Sequence, residues 1–264
     1  MLNSSFLSVP PASLRALELR AAADVLALPL WMTRLASRNA TDVGQNRAVF
    51  VLPGFGASDR AMAPMRYFLR RHGFNSLEWG LGVNKAGLDL PHDPHMLSWD
   101  FDIPEKVAGE TGVPYLCDQM VERVSRFCEE HSTTASLVGW SLGGTIAREV
   151  ARDLPQYVDQ VVTLGSPVIG GPKYTSAAGL LSKRGLNLDW IELEVERRNQ
   201  KPIKPAVSAI ISRSDGIVDW SASILANDST TRYITTDVSH LGMGINRRVM
   251  ELVLQELTRE RKAQ

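Results

Sequence analysis

Along this chain, short apolar runs alternate with longer stretches in which apolar residues recur every three or four positions. The first kind reads as buried strand and the second as amphipathic helix. Arg47 to Leu52 (RAVFVL) is a strand that ends in Pro53-Gly54. Residues 59–72 form a helix opened by Ser58 or Asp59 as N-cap, and Asn75 to Trp79 is a second strand. Val113 to His131 is a helix with Leu116, Met120, Val124 and Phe127 on one face. Ala135 to Trp140 is a strand, Leu142 to Leu154 a helix and Val158 to Leu164 a strand. Val207 to Ser212 and Arg232 to Thr236 are the last strands, and Asn246 to Lys262 is the last helix.

Three segments depart from this rhythm. Residues 11–38 are helical, with Leu14, Leu17, Ala21, Val25 and Leu28 on one face and a break or kink expected at Pro29. They read as a helix pair packed on the domain, or as a flap near an acyl-binding cleft or a membrane-contacting helix. Residues 80–112 are rich in Gly and Pro and read as a long ordered loop. Residues 168–204 hold two short helices, around 174–183 and 188–199, between Gly/Pro-rich joints. The alternation implies one α/β domain over 47–264, preceded by a helical segment over 1–46. Its sheet is mostly parallel and covered on both faces. In such sheets ligands bind beyond the carboxyl ends of the strands.

The chemistry-bearing residues fall there. Gly139-Trp140-Ser141-Leu142-Gly143, followed by Gly144, has the form G-x-S-x-G between a strand and a helix. That context lifts a nucleophilic serine on a sharp, strained turn. Pro53-Gly54-Phe55-Gly56 follows the first strand. A hydrolase needs backbone N–H donors aimed at a developing oxyanion, and Phe55 and Leu142 are the expected donors. Asp215 follows the strand Val207 to Ser212, with Asp219 as a rival, and Gly216 supports a sharp turn there. Of five histidines only His240 lies after both Ser141 and Asp215, as a nucleophile–acid–base order requires. His92 and His95 lie among prolines with no distant ligand cluster, so they read as a solvated or lid-contacting loop rather than a metal site.

Composition narrows the partners. Lys plus Arg equals Asp plus Glu at 29 each, which gives no reason to invoke nucleic acid or an acidic membrane surface. Cys117 and Cys128 lie on one helix, roughly 16 Å apart, out of disulfide reach. Two free thiols fit a reducing compartment, so a cytoplasmic location is expected. The apolar stretch from Ala21 to Trp31 contains Asp24 and Pro29 and is too short to span a bilayer, and no signal peptide or stable membrane anchor is expected.

PGFG (53–56), GWSLGG (139–144), SRSDGIVD (212–219) and SHLGMG (239–244) together resemble the α/β-hydrolase fold family, and within it the bacterial lipase/esterase-like members. The resemblance spans roughly residues 47–260. Pro53-Gly54 stands where the family usually has His-Gly. The resemblance implies an α/β-hydrolase fold with a reduced, mostly parallel sheet of about six strands, helices on both faces, and a small helical lid over 168–204. In the lid, Leu180, Leu181, Leu188, Trp190, Ile191 and Leu193 are the apolar residues, and Gly170-Gly171 and Gly185 are potential hinges. It implies a Ser141–His240–Asp215 triad cleaving apolar acyl or aryl esters, with Trp140 and Gly54 against the substrate and no metal or cofactor. A thioesterase or acyltransferase would use the same triad, and a binding protein on the same fold is the alternative outside enzymes.

Overall fold

The computed structural model describes residues 7–37, 39–86, 112–226 and 228–259. Six strands form one sheet: β1 (Ala48–Leu52), β2 (Asn75–Glu78), β3 (Ala135–Trp140), β4 (Val158–Leu164), β5 (Ala206–Ser212) and β6 (Arg232–Thr236). Their order is β2-β1-β3-β4-β5-β6, and every pairing is parallel. The helices are α1 (Ala12–Leu17), α2 (Ala21–Ala36), α3 (Ala63–Arg71), α4 (Val113–His131), α5 (Leu142–Asp153), α6 (Ala178–Lys183), α7 (Leu188–Asn199) and α8 (Arg247–Thr258). Among the described residues no helix is long and apolar enough to cross a membrane.

β1 is apolar and buried at every position, and β3 and β4 are buried at nearly every position, with a few polar residues such as Ser136, Gln160 and Thr163 among them, because both faces of the sheet are covered. Successive side chains alternate between two cores. Phe50, Leu52, Leu137 and Val161 pack with Leu116, Met120 and Val124 of α4 and Ile146 of α5. Val49, Val51, Val138 and Val162 pack with Met65, Phe68 and Leu69 of α3 and Val249, Met250 and Val253 of α8. Cys117 and Cys128 are free thiols buried on α4. Burial pushes the Cys128 thiol up to about 11, so it packs as a small hydrophobe rather than reacting as a thiolate.

Several expected boundaries move. The N-terminal run breaks at a 3-10 turn, Glu18–Arg20, and α2 continues through Pro29. Pro29 is exposed, so the carbonyl it leaves unbonded faces water and the cost of an internal proline is reduced. The expected apolar face is only partly covered: Val25 is exposed, as are Leu19 and Leu26, while Ala21 is buried. Helix α3 begins after Met62 with Pro64 in its first turn, not at Ser58 or Asp59. The Asp59 carboxylate is used elsewhere, accepting the N–H groups of Trp79 and Gly80 at the end of β2. From residue 87 to 111 the expected long loop, with His92 and His95, lies outside the described residues.

Candidate active site

Ser141 is the single residue between the end of β3 and the start of α5. Its φ of 54° and ψ of −125° are strained for a residue with a side chain, at a cost of about 1–3 kcal/mol. The turn is held by its own bonds: Ser141 N–H donates to Leu164 O at 2.8 Å, and its carbonyl accepts Gly144 N–H at 2.9 Å. Strand and helix cross so closely that a Cβ at Gly139 would overlap the backbone of Gly143 and Gly144, and one at Gly143 would overlap Leu52 and Pro53. The motif glycines are therefore spacers that let the helix leave the strand at this angle.

His240 and Asp215 come together beside this turn. His240 Nδ1 lies 2.7 Å from Asp215 Oδ2, both side chains buried. The other carboxylate oxygen, Oδ1, accepts Ile217 N–H at 2.9 Å and Val218 N–H at 2.7 Å, so the carboxylate is oriented from behind. The tautomer in which Nδ1–H donates to Asp215 leaves Nε2 as the hydrogen-bond acceptor. Asp219 is not near the histidine in this network. Its carboxylate takes the N–H and hydroxyl of Ser221 and the N–H of Ser8.

Gly54, Phe55, Trp140, Ser141, Leu142 and His240 all line one cavity of about 240 Å³. Leu142 is the first residue of α5, so its N–H has no partner within the helix. The Phe55 loop is pinned on both sides by Asn84, which is fully buried. Asn84 Nδ2 donates to Pro53 O at 2.9 Å, its carbonyl accepts Gly56 N–H at 2.7 Å, and its N–H donates to Ala57 O at 2.8 Å. Trp140 does more than line the cavity: its Nε1–H donates to His240 O at 3.0 Å, which ties the histidine loop to the end of β3.

Much of the remaining wall comes from the 168–204 segment, with Val113, Pro114, Ile217 and Leu241 beside it. Leu181, Leu186, Trp190, Ile191 and Val195 face the cavity. Leu180 and Leu193, apolar in sequence, point to solvent instead, because one residue's step along a helix turns a side chain by about 100°. Gly170, Gly171 and Gly185 have positive φ, as hinge positions can. Helix α7 is nevertheless tied at both ends. Lys173 pairs with Asp189 and Glu192 at 2.7 and 2.5 Å, and Arg198 pairs with Glu149 at 2.6 Å and with Asp153.

Two features were not anticipated from sequence. Gly216 has no left-handed backbone; it is glycine because a Cβ there would overlap Leu14 and Arg15 of α1. Beside it, the buried Glu18 carboxylate accepts three backbone N–H groups: Gly216 at 2.8 Å, His240 at 3.0 Å and Leu241 at 2.8 Å. Glu18 thus joins the loop of Asp215 to the loop of His240 from an element far away in the chain. Its sequence trace is a charge at the fourth position after Leu14 and the third before Ala21, inside an apolar stripe. Glu18→Ala leaves three N–H groups without their acceptor, each costing about 1–3 kcal/mol. We expect a lower Tm and, through displacement of His240, a loss of between about ten- and a hundredfold in the kcat of the reaction proposed below, with little change in KM. Glu18→Gln should restore part of both. A variant with a lowered Tm and an unchanged kcat would show that Glu18 serves stability alone.

The family model described as alpha/beta hydrolase fold matches residues 28–209. The chain belongs to the α/β-hydrolase fold family. Solved structures of this family agree with the architecture at low identity. A lipase-esterase related protein from Clostridium acetobutylicum is 16% identical, with 82% of this chain and 96% of that chain covered and a TM-score of 0.52. The mature form of the Bacillus licheniformis lipase BlEst2 is 15% identical, covering 83% and 94%, with a TM-score of 0.56. A monoacylglycerol lipase from Paleococcus ferrophilus is 15% identical, covering 80% and 93%, with a TM-score of 0.52. No curated protein matches the sequence significantly. Here the sheet has six parallel strands among the described residues, and α6 and α7 occupy the stretch after β4.

Proposed function

We propose that this α/β-hydrolase-fold protein is a serine hydrolase that cleaves carboxylic esters of apolar acyl or aryl type through an acyl-enzyme on Ser141. The observation that carries the reading is the strained Ser141 turn, sharing one cavity with a His240 whose Nδ1 is 2.7 Å from the Asp215 carboxylate. In the proposed reaction His240 Nε2 takes the Ser141 proton as Oγ attacks the ester carbonyl. The Phe55 and Leu142 N–H groups receive the charge that develops on the carbonyl oxygen. His240 then returns the proton to the leaving alcohol, and water repeats the sequence to free the acid. Asp215 stabilises the imidazolium that forms in each half. The apolar wall of Leu181, Trp190, Ile191 and Val195 supports an apolar acyl or aryl group.

A fluorophosphonate probe and a p-nitrophenyl ester series from acetate to palmitate test this together. The expected result is stoichiometric labelling of the peptide carrying Ser141 and a turnover optimum at one chain length. Matched thioesters in the same assay separate esterase from thioesterase action. A folded protein with no label and no turnover of any ester would leave a binding protein on a hydrolase fold.

A further inference from the structure

The cavity has a second polar end. Ser141, Thr145 and Arg148 all line it, and they are spaced at i, i+4 and i+7 along α5. That spacing places them on one helix face, with Arg148 two turns, roughly 10 Å, from the nucleophile. Between the two ends Val168, Leu181, Trp190, Ile191 and Val195 supply apolar wall, and Glu149, Glu194, Arg198 and Asn199 also line the cavity.

Arg148 is only 4% exposed, and an arginine so buried is ordinarily paired. Its neighbours are. Arg152 donates to both oxygens of Glu149 at 3.0 Å, to Asn199 Oδ1 at 3.2 Å and to Lys201 O. Arg198 takes up Glu149 and Asp153. Among the described residues Arg148 has no hydrogen-bond acceptor and no carboxylate within ion-pair distance. The carboxylates whose charge acts on it are already engaged: Glu149 by Arg152 and Arg198, and Asp228 by the N–H and hydroxyl groups of Thr230 and Thr231. Burial, and then the charge of Arg152, push the Arg148 pKa down from its ordinary value, yet a guanidinium stays charged at neutral pH.

We propose that this buried guanidinium is the receptor for an anionic group on the substrate, a carboxylate carried about two helical turns from the scissile carbonyl. The proposal deepens the hydrolase reading and rests on it for the cavity's role. A planar fork of N–H donors matches a carboxylate in two parallel bonds, and a site left with unmatched buried polar groups discriminates strongly against substrates that lack the partner. The carboxylate belongs either to the acyl chain, as in a monoester of a dicarboxylic acid, or to the alcohol, as in an acylated ω-hydroxy acid.

Two substrate pairs separate these sources. The first compares the p-nitrophenyl monoester of adipic acid with p-nitrophenyl methyl adipate. The second compares the acetate ester of an ω-hydroxyhexanoic acid with hexyl acetate. We expect the anionic member of one pair to be preferred at least about tenfold in kcat/KM, mainly through KM. In Arg148→Met that preference falls to one or below, and Arg148→Lys keeps part of it. The pair that shows the preference identifies which side carries the anion. Calorimetric titration with monomethyl adipate and with dimethyl adipate gives a readout free of turnover. Only the anionic ligand should bind wild type, and Arg148→Met should weaken it at least tenfold. Turnover of the neutral esters with equal kcat/KM in both pairs, or equal binding of both ligands, overturns the proposal, whether or not Arg148→Met folds. Absence of turnover from every ester, with carboxylate binding intact, overturns the hydrolase reading and leaves the anion site standing.

Discussion

Replacing Ser141 with alanine is expected to remove ester turnover by several decades while the protein stays folded. Both halves follow from the turn. In the proposed reaction the Ser141 hydroxyl attacks the ester carbonyl, so its loss should stop acylation, and in measured triads loss of the nucleophile alone costs about as much as loss of the whole set. The fold should persist because the junction is held by backbone bonds from Ser141 N–H to Leu164 and from Gly144 to the Ser141 carbonyl, and by the close packing of Gly139 on Gly143 and Gly144. Alanine keeps all of these and bears the same positive φ. Steady-state kinetics on the best p-nitrophenyl ester, with far-UV circular dichroism and Tm as the folding control, checks the expectation. A folded Ser141→Ala protein with near-native turnover would refute the nucleophile assignment.

Asp215→Asn should cost about four decades in kcat, as in known triads, and Asp219→Asn far less. The orientation of the carboxylate explains the size of the effect. Oδ1 is committed to the N–H groups of Ile217 and Val218, and only an oxygen can accept them. In the asparagine variant the amide oxygen takes that place, which turns the NH2 group toward His240 Nδ1. Nδ1 must then accept, the imidazole proton moves to Nε2, and the ring can no longer take the serine proton. The variant should keep substrate affinity and fold, and show a rate that rises with pH as the misplaced tautomer is bypassed by hydroxide. Asp219 holds Ser221 and the N-terminal Ser8, so its amide affects a local turn. If Asp219→Asn is the more damaging of the two, the acid assignment is wrong.

The motif residues were legible because their physics is local. A serine between two glycines at a strand–helix junction, and an apolar run closed by Pro53-Gly54, each describe a backbone event spanning a few residues. Asp215, not Asp219, is the carboxylate beside His240, but Gly216 has another role than the turn the sequence suggested. Gly216 does not make the turn; it admits the backbone of α1. The lid shows the same limit at one-residue resolution. Leu180 and Leu181 are equivalent as composition, yet Leu181 faces the cavity and Leu180 faces water, because the start of α6 at Ala178 sets the phase of its helix.

Sequence alone determined the order of strands and helices along the chain, the parallel sheet buried on both faces, and the placing of Ser141, Asp215 and His240 after strand ends. Periodicity and turn chemistry act between near neighbours, and burial of a strand on both faces leaves its mark at every position. Only the tertiary structure decided which distant polar groups serve these residues. Glu18 reaches across about two hundred positions to hold the loops of Asp215 and His240, Asn84 clamps the Phe55 loop, and Arg148 lines the cavity with no hydrogen-bond or ion-pair partner among the described residues. In sequence each is an ordinary polar residue on a helix or loop. What distinguishes them is burial beside a particular backbone or carboxylate, and a polar group acquires its large energetic weight only once folding has removed it from water.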